Sequence, residues 1–505
     1  MSSNSVGQQN IAQIVGYTLQ KGNFQTVTPN LPQRIAVFGE ANDANQSALD
    51  LTPTQYNTAQ QVGAAYGYGS PLYNMARILL PKQGGGVNGI PVIFYPQAKA
   101  LSSTTKIYTI TPVGIATASG THYVKIGGRR NVDGQFYAVN IVLGDSISTI
   151  NNKITDAVNN VLGCPATATD TLYVTTVTSK WSGKTANELD VTIDTNGNSL
   201  GITYTVTSTQ TGVGTPDIST ALNLFGNAWN TIVVSGYSTE TSIMDALELF
   251  NGIPDPISPT GRYQGIIMKP FIALVGSTLD DPSSITDTRL ANCTIAICPA
   301  PNSKGLSMEA AANMGVLFAN TSQNTPNLDV SSNPYPDMPA PTTIGSMAVY
   351  ANRDAFVKKG CSTVDLINNV YVVQDFVTTY HPVGETPPQF RYPRILMIDF
   401  NVRFGYYVLE QQNVIGHSIA NDVDIVNAVN VIKPKAWKAV LIDYATQLVN
   451  RGLIVDATFT SGTIVVNISV SNPDRFETTF SYKRSGFVRI ASTTATVGFN
   501  FGTVS

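Results

Sequence analysis

Hydrolysis by an activated serine is the first chemistry to test, and GLSME, Gly305 to Glu309, is the segment that comes nearest to a nucleophile elbow. The elbow needs Gly-x-Ser-x-Gly, because the tight strand-to-helix turn that exposes the serine depends on both glycines. Glu309 stands where the second glycine belongs, so the elbow is absent. The three histidines, His122, His381 and His417, lie in different regions, and none has a local catalytic pattern. A triad would have to assemble in space.

Phosphate chemistry has one fragment. WSGKTAN carries Gly183, Lys184 and Thr185, the end of a phosphate-binding loop, but Thr178 stands where its first glycine should be. A polar hairpin turn is the simpler reading. The glycines of GAAYGYGSP lack dinucleotide spacing, and helix entry and close packing account for them. Asp280 with Asp281, and Asp422 with Asp424, read as helix-start or loop carboxylates rather than as metal or glycosidase pairs. Cys293 and Cys298 sit five apart in ANCTIAICPAP, on opposite faces of a strand, where they cannot share a metal. With Cys164 and Cys361 they read as buried free thiols. No catalytic, cofactor or metal site is expected.

The elements that would position these residues form a mixed pattern. RIAVFGE, IPVIFYPQ, NTIVVSGY, YQGIIMKPFIALVG and CTIAICPAP read as buried strands. QQVGAAYGYGSPLYNMARILLP reads as a glycine-interrupted lead into a helix, and TSIMDALELFNG and GLSMEAAANMGVLFAN as helices between or after the strands. Strand, helix, strand in this order predicts parallel crossover units. Between Lys99 and about Val213 the composition turns to Thr, Ser, Asn and Gly, with alternating runs such as KIYTITPV, TLYVTTVT and GITYTVTS and one helix in SISTINNKITDAVNNV. That is an all-β module inserted in an α/β core.

The expected fold is therefore α/β and α+β multidomain. Its parts are an N-terminal arm (1–32), an α/β domain in two parts (33–98 and 214–397), an all-β insertion (99–213), a C-terminal α+β domain (398–490) and a C-terminal arm (491–505).

Composition limits the partners. Charged residues are 12 % of the 505, against ~25 % in soluble domains generally. The polar surface must then be largely Ser, Thr, Asn and Gln, which suits contact with other protein. A net charge of -3 argues against nucleic acid or an anionic membrane as the main partner. MSSNSVGQQN shows no signal peptide, and no apolar run reaches the ~18 residues of a membrane span.

The ends of the chain read as pairing segments. Val497, Phe499 and Phe501 alternate with Gly498, Asn500 and Gly502, the period of a half-buried strand. Such a strand either folds back on its own domain or adds to an open sheet edge of another subunit. Ile14, Val15, Tyr17 and Leu19 are more apolar than a solvated tail needs, and suggest a second arm. In VNVIKPKAWKAVLIDYATQLVNRG, Pro434 starts a helix and Gly452 stops it, with Trp437, Val440, Leu441, Tyr444 and Leu448 on one face. Lys433, Lys435 and Lys438 crowd the positive end of that helix dipole. A solvated basic turn and an anionic surface nearby both fit this placement.

Several segments together carry a family resemblance: GSMAVYANRDAFVKKGCSTVDLINNVYVVQDFVTTYHP, the RYPRILMIDFNVR strand and RFETTFSYKRSGFVRI…GFNFG. With AVFGEA and YGYGSPLYNMA, they resemble the tail sheath protein of contractile bacteriophages of the Mu-like kind. The likeness covers most of the chain outside the β insertion, which varies in this family. It implies a structural subunit, not an enzyme, with a central domain of subtilisin-like topology. Stacked hexameric rings around a rigid tube, joined by terminal arms that pair with neighbours' sheets, would contract to drive the tube through a host envelope. The implied partners are further copies of the chain, the tube protein, and baseplate and tail terminator proteins, in a virion tail assembled in the host cytoplasm. The tube is then the natural anionic surface for Lys433, Lys435 and Lys438. A tailocin sheath is the nearest alternative; a β-rich adhesion protein and a degenerate hydrolase are more distant ones.

Overall fold

The computed structural model describes residues 28–386, 388–426 and 428–498. Two compact units divide the described residues: 31–402 with 484–498, and 28–30 with 403–483.

The larger unit is built on a six-stranded sheet. Across it lie Ile295–Pro299, Ile272–Ser277, Ile232–Ser235, Ile35–Glu40, Val92–Gln97 and the short Thr54–Gln55. The first five are parallel, and Thr54–Gln55 runs antiparallel at the edge. Every residue of the five parallel strands is buried, so helices cover both faces and the strands read as unbroken apolar runs. Numbered along the chain the parallel strands lie in the order 5-4-3-1-2, a doubly wound arrangement whose direction reverses between Ile35–Glu40 and Ile232–Ser235.

Local sequence explains the crossovers. Between the first two parallel strands lie helices Ala59–Tyr66 and Pro71–Leu79. Thr58 and Gln61 form a capping box on the first, and Ser70 caps the second, whose first residue is Pro71. Helix Ser307–Asn324 follows the last strand and packs on Ile272–Ser277. A Cβ at Gly276 would lie 1.7 Å from the Ser307 carbonyl oxygen, so only glycine allows this approach.

The insertion folds as two larger antiparallel sheets and a two-stranded pair, Asn131–Val132 with Gln135–Phe136. Thr203–Gln210, Thr105–Val113, Thr175–Ser182 and Ala166–Asp170 form one; Val191–Asp194, Gly120–Ile126 and Ala138–Ile141 form the other. Helix Ile147–Asn159 completes a core that includes Ile110, Val124, Val139, Ile154 and Val177. A bridge between Thr104 and Val213 closes its neck.

Polar groups weld this module to the α/β core. Glu309, 1 % exposed on the core helix, accepts from Arg77 at 3.1 Å and from Arg129 of the insertion at 2.8 and 3.0 Å. Glu188 of the insertion accepts from the Ser307 backbone N–H at 2.7 Å and its hydroxyl at 2.6 Å. Tyr73 donates to Asp133 at 2.5 Å.

Two element readings are corrected. RYPRILMIDFNVR is not a strand but the start of helix Pro393–Asn413. Its run ILMI, ended by Asp399, is continuously apolar but too short to carry a period that separates strand from buried helix. In YQGIIMKPFIALVG only Ile272–Ser277 is strand; Gly261–Tyr263 is a 3-10 turn, and Pro270, with no N–H to give a ladder, precedes the pairing.

The smaller unit holds the same helix from Arg403 on, helix Pro434–Asn450, helix Ala457–Thr463 and the hairpin Val465–Ile468 with Phe476–Thr479. Trp437, Leu441, Tyr444 and Leu448 fill its core. Tyr406 packs against Trp437 and Phe480 at 5.9 and 5.7 Å between ring centres. Gln447 and Arg451 hold the chain at Thr28.

Candidate functional site: a basic helix start, an exposed loop and the chain end

The residues with nucleophilic potential are engaged elsewhere. The Ser307 hydroxyl donates to both Glu188 oxygens at 2.6 Å, at the start of the helix it belongs to. His122 is buried between the Tyr204 hydroxyl at 2.7 Å and the Asn198 carbonyl at 2.9 Å. His381 contacts the Thr379 carbonyl at 2.6 Å and Asp287 at 3.4 Å, and His417 lies in the other unit. Neither His122 nor His381 is brought to Ser307. All four cysteines are buried thiols, and burial pushes Cys293 up to about 12. Among the described residues no group of three or more His, Cys, Asp or Glu side chains is arranged to hold a metal, and no helix is long and apolar enough to cross a membrane.

The basic helix start is built as the sequence suggests, with one addition. Lys433 precedes Pro434, the first helical residue, and Lys435 is exposed on the first turn. Asp422, thirteen residues upstream, returns to accept the Lys435 backbone N–H at 2.9 Å. It supplies the acceptor and the negative charge that an N-terminus favours, so the lysine crowding is partly offset. The Lys433 ammonium donates to the Asp424 carbonyl oxygen. Neither Lys435 nor Lys438 has an ion-pair partner among the described residues. Asp422→Ala is expected to cost ~1 kcal/mol, as loss of a capping acceptor does. Urea denaturation reads it, and an unchanged midpoint would show that the contact carries no stability.

The loop that carries Asp422 also exposes aliphatic side chains. Val423, Ile425 and Val429 are 88, 96 and 100 % exposed. The sequence reading did not single them out. Their signal is a cluster of β-branched residues in NDVDIVNAVNVIKP with no amphipathic partner element. The neighbouring pair Ser418–Ile419 and Val431–Ile432 is a two-stranded parallel sheet, too small to cover them.

At the chain end, Arg484 makes a two-pronged pair with Asp399 at 2.8 and 2.7 Å. Arg489 pairs with Asp329 and Asp375 and lies over the Tyr392 ring at 4.8 Å. Burial raises Asp329, and the Arg489 charge opposes the rise. Past these clamps the chain is exposed and outside any strand as far as residue 498, with Val497 92 % exposed. Phe499 and Phe501 lie outside the described residues, as do Ile14, Val15, Tyr17 and Leu19.

No protein-family model matches the chain. Over 425 residues it is 22 % identical to the Mu-like prophage FluMu tail sheath protein of Haemophilus influenzae, covering 82 % of each. Among the solved structures that align with the chain are three with low TM-scores. One is a sheath tail protein from Desulfitobacterium hafniense (TM-score 0.42, 11 % identity, 93 % of this chain and 100 % of that one). The others come from the anti-feeding prophage: a chain of its baseplate (TM-score 0.45, 10 % identity, 97 % and 100 %) and one of its helical sheath in the contracted state (TM-score 0.45, 10 % identity, 96 % and 99 %). The resemblance carried by the sequence segments and the curated relative agree on a Mu-like tail sheath protein.

Proposed function

From its similarity to a Mu-like tail sheath protein, we propose that this chain is the repeating subunit of a contractile tail sheath. The observation that carries the reading is the alignment itself: at 82 % coverage of both proteins it spans far more than one shared domain. The subunits stack as hexameric rings around a tail tube and contract to drive it through the host envelope. The other partners are the baseplate and the tail terminator, and the sheath forms in the bacterial cytoplasm before it becomes part of a virion.

The work is mechanical. Weak contacts between rigid bodies exchange between an extended and a contracted lattice, while strand pairing by the arms persists. The N-terminal arm with Ile14, Val15, Tyr17 and Leu19 and the C-terminal arm with Val497, Phe499 and Phe501 are the two halves of that connection. Exposed Val423, Ile425 and Val429 are the kind of apolar surface that assembly covers. Sedimentation of the purified chain tests the reading. Polymers of many subunits are expected, and a protein that stays monomeric at all concentrations would contradict it.

Lys433, Lys435 and Lys438 are assigned to the tube-facing surface. Changing all three to Gln is expected to weaken attachment to the tube and flatten its salt dependence, because fewer cations are screened. Stability should move by less than ~0.5 kcal/mol, as surface changes do, since Asp422 already answers the helix dipole. Tube co-sedimentation between low and high salt decides it: an unaltered salt dependence removes these lysines from the interface.

A further inference from the structure

Glu40 ends the first strand of the parallel sheet, and its carboxyl is buried where the strand order reverses. Crevices form at such points, outside the carboxyl ends of the strands. Here the crevice is a cavity of about 170 Å³, with Tyr237 and Glu240 of the core on one side and Lys184, Thr185 and Glu188 of the insertion on the other. The segment WSGKTAN, whose glycine and lysine suggest half a phosphate loop, is thus the insertion's side of the crevice.

The fit at Glu40 is close and its partners are few. Gly183 has φ +128°, and a Cβ there would stand 3.3 Å from both Glu40 oxygens. The Thr185 hydroxyl lies 3.4 Å from one oxygen, Oε2. Oε1 is buried without a hydrogen-bond partner. The nearby cations are committed: Lys184 pairs with Glu240 at 2.9 Å, and Lys99 with Asp43 at 3.4 Å. Glu188 is occupied by Ser307. An ionised Glu40 would therefore be a buried charge with no cation bonded to it, beside Asp43 and in a crevice also lined by Glu188 and Glu240, with only Lys99, itself held by Asp43, to offset it.

We propose that Glu40 is a proton-operated latch between the insertion and the α/β core: protonated it lies closed under Gly183 and Thr185, and ionised it draws water into the crevice and releases that segment. Burial pushes Glu40 up to about 8; the Thr185 hydroxyl opposes the rise, Asp43 adds to it and Lys99 subtracts. A released carboxyl titrates at its ordinary value near 4.5. The closed form thus holds more protons across that window. Closure is strongest below the lower value and is lost as pH rises through the upper one, by at most about tenfold in equilibrium constant per pH unit. Glu188 is raised in the same direction by burial, with its Ser307 bonds opposing.

Hydrogen exchange of residues 182–189 in the full chain, divided by the intrinsic rate at each pH, reads the latch. Protection is expected to fall between about pH 5.5 and 8 and to level off above. Glu40→Gln keeps the side-chain volume without a titrating proton, and should hold protection high with a much shallower fall. Glu188→Gln, which removes the other buried carboxyl, should leave the Glu40-dependent part in place. Thr185→Val removes the hydroxyl that opposes the rise, and should move the level-off to higher pH. Wild-type protection that does not vary with pH would overturn the proposal. So would a Glu40→Gln profile that follows the wild type, or a level-off that Thr185→Val leaves unmoved.

Discussion

Glu309→Ala is expected to destabilise the α/β core by about 3–5 kcal/mol, the usual cost of breaking a buried ion pair from one side. The carboxylate takes hydrogen bonds from Arg77, from Arg129 and from the Leu306 backbone N–H, the last at 3.1 Å. Its removal leaves the two guanidinium groups with a weak pair to Asp133 and one bond to the Asp337 carbonyl, and strips the helix Ser307–Asn324 of one of its two N-terminal carboxylate acceptors, leaving Glu188 on the Ser307 N–H. Glu309→Gln keeps an acceptor for Leu306 but not the charge, so it should fall between wild type and Ala. Urea denaturation measures both; a shift under ~0.5 kcal/mol for Ala would mean that the network is ornamental.

The same network changes what a deletion of the insertion should do. Composition alone suggests a module that a short linker could replace between Leu101 and Thr211, leaving a core that folds and polymerises. That change would remove Arg129, Asp133 and Glu188 together, the partners of Glu309, Tyr73 and Ser307. The expected product is a destabilised core.

Truncation after Ile490 is expected to leave a folded, soluble chain that forms no long tubes. The two arginines that fix the chain end, Arg484 and Arg489, are kept, so the denaturation midpoint should not move. What is lost is the segment whose alternating Val497, Phe499 and Phe501 suit an added strand. Fully burying each stabilises by roughly 1.5–3 kcal/mol, while ordering the backbone opposes this by about 1–2 kcal/mol per residue. One arm alone should therefore bind weakly and act as a tether where neighbouring contacts supply a high effective concentration. Removing Ser2 to Lys21 as well should abolish residual assembly. A truncated chain that aggregates or unfolds would place Phe499 and Phe501 in its own core and end the arm reading.

The parallel strands were legible because burial on both faces leaves an unbroken apolar run such as RIAVFGE, bounded by turn residues. The insertion was legible by its shift to Thr and Ser and by alternation, since each of its sheets faces a core on one side only. Helix Pro434–Asn450 declared itself through Pro434 and its Trp437, Leu441, Tyr444, Leu448 face. Helix Pro393–Asn413 did not, because ILMI is too short to carry a period. The polar seam was invisible for another reason. Arg129 and Glu309 are 180 residues apart, and neither carries a local pattern that names the other. Asp422 reads in the sequence as a helix-start or loop carboxylate, and only the fold brings it to the Lys435 N–H.

The central claim is that this chain polymerises into a sheath, and negative-stain electron microscopy of the full-length protein, beside the chain truncated after Ile490, tests it most directly. Long hollow tubes with ring-stacked striations from the full chain, and none from the truncated one, are the predicted result. Small discrete particles from the full-length chain under every condition tried would contradict it.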